Sequence, residues 1–510
     1  MLPGINDAHI HAALYGGTRP PLVADVSYPT VKSIRDILKA IAKRVKTAKP
    51  GEWIQGIGWD DGYLEECLKD HRRYPSRWDL DMVSPDNPVV LGHYTQHEVW
   101  VNSRALEMAG ITESTSSPDG GVIVKDPATG EPTGILREFP AQALIMKRVP
   151  LWTKAEKRQG ILAMIRDLNT RGITSITEGA LGSGGNEFQG GLLGTECLDI
   201  YHDLLDENEL TLRVSWLYLF GEYGSCTYED FRQVIPELGI HSGFGNEWLR
   251  LAGVKIFADG TPMGQTAWMY DEYPDGGGRG SLVVPGRSDK ERCREMVRMI
   301  RFAHNHGFQV GVHAVGGRAI EAAIDGFIKA EKGRPKQLRH YVLHSDFISD
   351  EYIQLAARHH FGVGVQPILK WKFSDQMDKL LGIELSARQF PVRNMIDAGV
   401  HVIGGSDAPV VEPDWLAGIQ AAVLRESKAT GTLRGPENRI TVPEAIRMFT
   451  IEGAWQDHME RQKGSIEVGK LADMCVLDED ILSVEPHSIK DIKNVMTVAG
   501  GRVVYCSENF

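Results

Sequence analysis

The sequence has few cysteines and no concentrated positive charge. Its six cysteines are scattered over 510 residues without a C-x-x-C pair, which excludes a disulfide framework and is typical of the reduced thiols of a cytoplasmic protein. Lys and Arg number 56 against 68 Asp and Glu, so the formal net charge is −12, and no basic block stands out. The basic surface that holds nucleic acid is therefore missing.

Long apolar runs and internal repeats are absent as well. No stretch approaches the roughly 18 apolar residues that cross a bilayer, the first residues lack the basic and apolar regions of a secretory signal, and no repeat period indicates a solenoid. The composition, 42% hydrophobic and 24% charged, is that of an ordinary globular protein. We expect a cytoplasmic protein with no membrane or nucleic-acid partner, whose ligand is a small molecule.

What the sequence does contain is an alternation of short β-branched runs with helical stretches. The helical stretches end at a glycine after the last apolar turn, as helix C-termini prefer. Buried strands that alternate with helices indicate an α/β fold with a parallel sheet, and eight of them close a (β/α)8 barrel. An open doubly wound sheet is the alternative. The eight candidate strands lie within residues 4–12, 173–180, 210–220, 249–260, 308–317, 339–347, 361–369 and 399–410.

Two segments do not follow this alternation. Residues 50–150, approximately, are rich in Trp, Pro and Gly and contain a predicted hairpin in GGVIVKDPATGEPTGILRE, so we assign them to a large insertion after the first strand. The tryptophans of this insertion predict either the aromatic wall of a lid over the site or a small core of the insertion itself. Residues 456–510 contain short strands joined by Gly-rich turns, which predicts a small β-sandwich appendage to a barrel over residues 1–455.

A His-x-His pair opens the chain in LPGINDAHIHA, at His9 and His11. Residues two apart in a strand point to the same side, so the two imidazoles converge on one point, as a metal site requires. Two ordinary core histidines are the alternative for this pair. A second pair, His304 and His306, lies in a helical pattern in which such residues diverge, so we assign it to packing or to the surface.

Four more residues with metal-binding chemistry lie near the carboxyl ends of other candidate strands, namely Lys255, His313, His344 and Asp407. Barrel enzymes assemble their sites at that face, and histidines with a carboxylate are ligands of hydrolytic zinc centres. An ammonium group repels a divalent cation, so Lys255 must be neutralised or modified. Carboxylation of its side-chain nitrogen creates an anion that can bridge two metal ions, whereas pairing with Asp259 is the alternative.

Together these motifs resemble the amidohydrolase superfamily, and within it the branch of N-substituted formamide deformylase and YtcJ-like proteins. The resemblance covers nearly the whole chain and rests on LPGINDAHIHA, HEVWVNSRALEMAGI, GGVIVKDPATGEPTGILRE, VKIFADGT, VHAVGGRA, GSDAPV and the tail GSIEVGKLADMCVLD. It implies a barrel hydrolase with one or two divalent metal ions per chain, zinc before manganese or iron. The implied metal ligands are His9, His11, carboxylated Lys255, His313, His344 and Asp407.

The implied reaction is hydrolysis of a carbon–nitrogen bond in a small amide, formamide or cyclic amide, with Asp407 as the catalytic base and then acid. The alternatives are an ester, lactone or carbon–carbon bond at the same metal site, and a regulatory descendant that binds a ligand without turnover. Glu178 at the end of the second strand and His97 in the insertion are candidate substrate-binding residues. The chain departs from the branch at Gly317, where Asp is common, and at 261–262, where Thr-Pro replaces Ser-Leu. These departures leave the substrate preference open.

The chain begins close to its first candidate ligands. Relatives with such a tail carry several strands before LPG, and those strands complete a small β-sandwich with the tail. We therefore expect an incomplete sheet here, whose unpaired edges and apolar face reduce stability and favour association. On this reasoning Met1 is an internal start in a longer chain, or a partner subunit of a homo-oligomer covers the tail strands.

Overall fold

The computed structural model describes residues 1–20, 22–70, 73–94, 98–118, 121–187, 189–221, 226–274, 278–333 and 337–508, with residues 138–140 and 189 described by their backbone alone. The short β-branched runs form 18 strands in these ranges. In chain order they are β1 (Leu2–Pro3), β2 (Ile5–Ile10), β3 (Ala24–Asp25), β4 (Ile54–Trp59), β5 (Val89–His93), β6 (Glu98–Val101), β7 (Val122–Lys125), β8 (Pro132–Arg137), β9 (Ile173–Leu181), β10 (Arg213–Leu219), β11 (Leu249–Phe257), β12 (Gln309–Ala314), β13 (Tyr341–His344), β14 (Gly362–Val365), β15 (His401–Gly404), β16 (Met474–Leu477), β17 (Asn494–Ala499) and β18 (Arg502–Cys506).

Helices fill most of the chain between these strands. Several begin at a residue whose side chain accepts an amide of the first turn, such as Ser33, Ser288 and Thr441, which satisfies a backbone donor that the helix itself leaves free. In chain order the described helices are α1 (Ala12–Gly17), α2 (Ile34–Val45), α3 (Glu65–Lys69), α4 (Arg77–Asp81), α5 (Ser103–Ala109), α6 (Glu138–Met146), α7 (Lys154–Thr170), α8 (Thr195–Asp206), α9 (Tyr228–Leu238), α10 (Asp289–Asn305), α11 (Gly317–Gly333), α12 (Asp350–His359), α13 (Pro367–Leu381), α14 (Ile383–Ala387), α15 (Val392–Asp397), α16 (Trp415–Leu424), α17 (Val442–Met448) and α18 (Ile451–Gln456). No described helix is both long enough and apolar enough to span a bilayer.

Eight parallel strands form the central sheet, in the order β2-β9-β10-β11-β12-β13-β14-β15. Seven of them fall within candidate segments of the sequence, and β9 extends one residue beyond its segment, 173–180. Every residue of β2 and of β9 is buried, as expected when helices cover one face of a parallel sheet and its other face lines an interior.

The two ends of this sheet meet at the carboxyl ends of β2 and β15. The amide of Asp407 donates to the carbonyl of His9 at 2.8 Å, and the amide of His11 donates to the carbonyl of Ala408 at 2.9 Å. These bonds join the first and last strands, so the sheet is a nearly closed (β/α)8 barrel. The prediction of a barrel is confirmed, and the open doubly wound sheet is excluded.

The chain divides into two compact units, and the second of them comprises residues 13–162 and 189–192. It holds a six-stranded sheet in the order β3-β4-β5-β6-β8-β7, in which β3, β4 and β5 are parallel and the rest antiparallel. The predicted hairpin is present as β7 and β8. Trp59 and Trp100 are fully buried in one core cluster with Ile37 and Ile41. Their burial agrees with the alternative in which the tryptophans form a small core of the insertion itself.

The first unit comprises residues 1–12, 163–188 and 193–510, so the tail belongs to the same compact unit as the barrel. The tail forms an antiparallel sheet in the order β1-β16-β17-β18, in which Leu2 lies opposite Cys475. The Arg213 guanidinium of β10 donates two bonds to the Asp473 carboxylate just before β16, at 2.6 and 2.9 Å. This buried ion pair links the small sheet to the barrel.

Candidate metal centre

All six predicted ligands lie at the carboxyl ends of barrel strands. His9 lies within β2 and His11 follows it, while Lys255 and His313 lie near the ends of β11 and β12. His344 is the last residue of β13, and Asp407 lies three residues after β15. Parallel strands present these ends at one rim of a barrel, so residues 398 positions apart in sequence can become neighbours.

The distances place the histidines and the aspartate in one cluster. The His9 Nε2 and His11 Nε2 atoms lie 3.2 and 3.6 Å from Asp407 Oδ1. The His344 ring centre lies 5.2 Å from that of His9 and 4.4 Å from that of His313. In addition, ligand atoms of His9, His344 and Asp407 all lie within 4.8 Å of one another.

Burial keeps the imidazoles of this cluster neutral. It lowers the pKa of His11 to about 3 and that of His313 to about 4, and it holds the pKa values of His9 and His344 well below the usual value. The charge of Lys255 contributes to the lowering at His9 and His313, so this lysine faces the same centre. A neutral imidazole carries the lone pair that a metal ligand needs.

Lys255 is fully buried, and its Nζ lies 4.7 Å above the ring of Phe257. No described residue forms a hydrogen bond with this nitrogen. Burial lowers the pKa of the Lys255 amine to about 7. The predicted alternative, a pair with Asp259, is wrong, because that carboxylate accepts backbone amides of Val315, Gly316 and Trp268 instead.

Two of the clustered residues have an unusual backbone conformation. His344 has a φ of 73° and Asp407 a φ of 61°, in the left-handed region that side chains other than glycine rarely adopt. Each non-glycine residue held there costs about 1–2 kcal/mol. Such outliers cluster at functional sites, where the surrounding structure enforces them.

The buried polar atoms of the cluster fit a metal ion. Neither ring nitrogen of His9 and no hydrogen of the Lys255 amine has a hydrogen-bond partner among the described residues. Buried polar atoms normally have partners, because an unsatisfied group costs about 1–3 kcal/mol. Imidazole nitrogens and a carboxylate that point together at one buried centre are a donor set for zinc and related divalent ions.

Comparison with known proteins identifies the family of this chain. The sequence matches the amidohydrolase family over residues 1–505. The chain belongs to that family. It is similar to the putative amidohydrolase YtcJ of Bacillus subtilis, with 32% identity over 99% of this chain and 89% of that protein. It is also similar to the N-substituted formamide deformylase of Arthrobacter pascens, with 27% identity over 99% of this chain and 88% of that enzyme.

A solved structure supports the same fold. The chain resembles an uncharacterized metal-dependent hydrolase from Pyrococcus horikoshii, with a TM-score of 0.72 and 22% identity over 95% of this chain and 87% of that one. The predicted family is confirmed by the family match over residues 1–505. The family match and these relatives make the protein an amidohydrolase, an enzyme of the hydrolase class.

Three residues support the centre of this amidohydrolase in ways that the sequence analysis did not predict. Asp7 accepts the backbone amide of Ser406 at 2.9 Å, which ties the first strand to the loop that carries Asp407. Asp259 accepts the three amides described above and so fixes the loops after β11 and β12. Gln366 is hydrogen-bonded to His344 at 3.0 Å. The DAHIH motif could have revealed Asp7, since Asp7, His9 and His11 are spaced two apart and so point to the same side of the strand.

One departure from the family pattern has a steric reason. A side chain at Gly317 would place its Cβ about 2.1 Å from the ring of Tyr270, so the Asp that is common in the branch does not fit beside this tyrosine. The Tyr270 hydroxyl donates to Glu321 at 2.7 Å, which holds the ring in place.

The other departure, Thr-Pro at 261–262, lies in a turn in which the Thr261 amide donates to the Thr266 hydroxyl at 3.1 Å.

The two predicted substrate-binding residues have different outcomes. Glu178 is fully buried within β9. Burial lowers the pKa of Lys255 and raises that of Tyr201, and the charge of Glu178 opposes the first change and adds to the second. It therefore lies beside the lysine of the centre, and its contact with a substrate stays a prediction. His97 lies outside the described residues.

The second His-x-His pair, His304 and His306, was assigned to packing or to the surface. His304 is buried and His306 is exposed, in agreement with that assignment.

Proposed function

We propose that the protein is a metal-dependent hydrolase that cleaves a carbon–nitrogen bond in a small amide, formamide or cyclic amide with water. The observation that carries this proposal is the buried cluster at the carboxyl ends of the barrel strands. There, neutral imidazoles and a carboxylate converge, and several of the buried nitrogens have no hydrogen-bond partner among the described residues. Zinc suits this mixture of nitrogen and oxygen ligands. One or two ions would be held by His9, His11, Lys255, His313, His344 and Asp407.

A divalent ion held by these residues would supply Lewis acidity and would make a water molecule more acidic near neutral pH. The Asp407 carboxylate is the group that accepts the proton of the attacking water. It then delivers this proton to the leaving nitrogen as the carbon–nitrogen bond breaks. Its Oδ1 faces the imidazoles of His9 and His11 at 3.2 and 3.6 Å, and its burial, with 8% of the residue exposed, excludes most competing water.

We further propose that the Nζ of Lys255 is carboxylated. The neutral amine adds to carbon dioxide and releases one proton, so the product is a carbamate with two oxygens and one negative charge. Two features support this step: burial brings the pKa of the amine down to about 7, and Nζ has no hydrogen-bond partner among the described residues. The carbamate would turn a repulsive ammonium into an anionic ligand able to bridge two ions.

The choice of bond rests on the relatives. The Arthrobacter pascens enzyme is named for deformylation of N-substituted formamides, and the Pyrococcus horikoshii protein is named as a metal-dependent hydrolase. An N-formyl or N-acyl compound is therefore the first substrate class to test for this chain.

The test is a substrate screen with metal-free and zinc-loaded protein. Formamides, amides and cyclic amides are compared with esters and lactones of the same shape. The proposal predicts turnover of carbon–nitrogen substrates by the zinc-loaded protein alone. Turnover of esters or lactones only would favour the alternative bond, and undiminished turnover by metal-free protein would contradict the mechanism. The exposed Asp397→Asn variant is the control for each preparation.

A further inference from the structure

Strand β14 supplies none of the predicted ligands, yet it ends beside one of them. The strand pairs in parallel with β13, with Tyr341 opposite Gly362 and Val342 opposite Val363. Continued by two residues, this register places Val365 opposite His344 at the end of β13, so the residue that follows β14 lies one position beyond it. That residue is Gln366, which is fully buried directly before the first residue of α13.

The side chains of Gln366 and His344 are joined by a buried hydrogen bond. The Gln366 Oε1 atom lies 3.0 Å from His344 Nδ1. An amide oxygen can only accept, so Nδ1 must be the donor and must carry a hydrogen. A neutral imidazole carries one such hydrogen, so with Nδ1 as the donor its Nε2 atom keeps the lone pair.

We propose that Gln366 is a positioning residue, which fixes the ring orientation and the tautomer of His344 so that the lone pair of Nε2 faces the metal centre. The proposal rests on the proposed function only in that the centre binds a metal. Partners of this kind on the outer nitrogen of a metal-binding histidine determine which ring nitrogen is free to bind, and their loss lowers metal affinity by about 10- to 100-fold.

The backbone of His344 explains why this histidine needs a partner. Both His344 and Ser345 have positive φ, at 73° and 57°, so the chain turns sharply where the ring begins. The Ser345 amide is held by the carbonyl of Ala314 at 3.0 Å, which restrains the main chain but not the rotation of the ring. Only a bond to the ring itself selects one tautomer, and among the bonds described for this ring Gln366 provides it.

Metal affinity in the full-length protein tests the proposal without any substrate. Metal-free wild type and variants are titrated with Co²⁺ in competition with a chromophoric chelator, and the visible spectrum of the bound Co²⁺ is recorded. Gln366→Leu removes the acceptor, whereas Gln366→Glu keeps an acceptor oxygen. The matched control is Gln309→Leu, since Gln309 is an equally buried glutamine of the barrel that donates to carbonyls of Arg339 and Gln456.

The expected result is a 10- to 100-fold weaker affinity for Co²⁺ in Gln366→Leu, roughly the range seen for such partners, together with a changed Co²⁺ spectrum. Gln309→Leu should keep the wild-type affinity and spectrum even if its melting temperature falls, and Gln366→Glu should restore most of the affinity. Equal affinities and spectra in Gln366→Leu, Gln309→Leu and wild type would overturn the proposal. Wild type that binds no metal would instead contradict the proposed function.

A second measurement decides the matter if Gln366→Leu does not fold. Metal-free protein labelled with ¹⁵N-histidine reports by NMR which ring nitrogen carries hydrogen, and the signal lost in His344→Gln identifies His344. The proposal predicts hydrogen on Nδ1 of His344 in wild type. Hydrogen on Nε2, or a mixture of both tautomers in wild type, would overturn it.

Discussion

At the scale of single residues, the centre combines groups that would be unfavourable without a ligand. Buried imidazoles are neutral, a buried amine has a pKa near 7, and two residues have left-handed backbones. Each feature reduces the stability of the folded chain on its own. Their concentration at one rim of the barrel is therefore best explained by a bound cation that compensates for them.

Asp407→Asn should separate metal binding from proton transfer. The amide keeps an oxygen near His9 and His11 but cannot accept a proton, so turnover should fall by about 10²- to 10⁴-fold, the contribution of a general base. Metal content should remain close to that of wild type. Elemental analysis and steady-state kinetics of the same preparation check both results. A variant with nearly normal turnover would mean that another group is the base.

Lys255→Ala should lose both metal and activity. The substitution removes the amine on which the carbamate forms, so a small carboxylic acid added to the buffer should restore part of the turnover by replacing the missing carboxylate. Lys255→Met is the control for volume and should respond less to the acid, because its side chain fills the space. Full metal content in Lys255→Ala would show that the lysine is not a ligand.

The clustering of the predicted ligands could be inferred from the sequence, but the residues that support them could not. His9, His313 and His344 lie near the ends of recognisable strands, and barrel sites lie at the carboxyl ends of strands, which brings them together. The role of Gln366 depends on the register between two strands, and that of Asp7 on a bond to Ser406, 399 residues away. Periodicity in one sequence carries no information on such long-range pairs. The need for glycine at position 317 could not be predicted either, because its reason is the position of the Tyr270 ring.

At the scale of elements, helix α10 and strand β13 are linked by a buried histidine pair. The Val310 amide donates to His340 Nδ1 at 3.0 Å, so the hydrogen of this ring lies on Nε2 and is donated to His304 Nδ1 at 2.8 Å. Burial lowers the pKa of His340 to about 3. The pair is at the amino end of β13, opposite the metal centre, and its role is structural.

His340 should make the fold sensitive to acid. Its unfolded pKa is about 6.5, so between about pH 6.5 and 3 the unfolded chain binds the extra proton. Its contribution to stability is fully present above pH 6.5 and is lost as the pH falls. The slope of unfolding free energy against pH should be smaller in His340→Gln, by up to about 1.4 kcal/mol per pH unit. Urea unfolding from pH 7 to 4.5 checks this, with the exposed His241→Gln as control.

Identical slopes for wild type and His340→Gln would show that folding does not lower the pKa of His340.

The elements themselves were largely predictable, because each barrel strand is a short buried run between helices. The alternation did not reveal that α2 belongs to the second compact unit, since Ile34, Ile37 and Ile41 pack against strands that follow later in the chain. An amphipathic helix shows which face is buried but not against what.

At the scale of the whole molecule, the tail is attached to the barrel by buried polar contacts. Asp473 accepts two bonds from Arg213 and one from the Gly500 amide, and the Arg213 guanidinium stacks on Trp248 at 4.2 Å. A second contact joins the Thr497 hydroxyl to the carbonyl of Asn169 at 2.6 Å. The small sheet is therefore part of the same compact unit and not a loosely tethered appendage.

Arg213→Met should destabilise the protein by about 3–5 kcal/mol, because it leaves the Asp473 carboxylate buried without its counterion. The double variant Arg213→Met, Asp473→Leu should recover much of this loss. Chemical unfolding followed by tryptophan fluorescence measures both variants. Arg104→Ala, which breaks an exposed helical pair with Glu107, should be indistinguishable from wild type. A loss in Arg213→Met no larger than in this control would mean that the pair does not hold the sheet.

The most direct test of the account is a count of the metal ions bound at the clustered residues. Purified protein, stripped by a chelator and reloaded with zinc, is subjected to elemental analysis beside the double variant His9→Ala, His344→Ala, with Asp397→Asn as the control. Wild type and the control should each hold one or two ions tightly per chain, and the double variant should hold none. Wild type that retains no metal, or a folded double variant that retains as much as wild type, would contradict it.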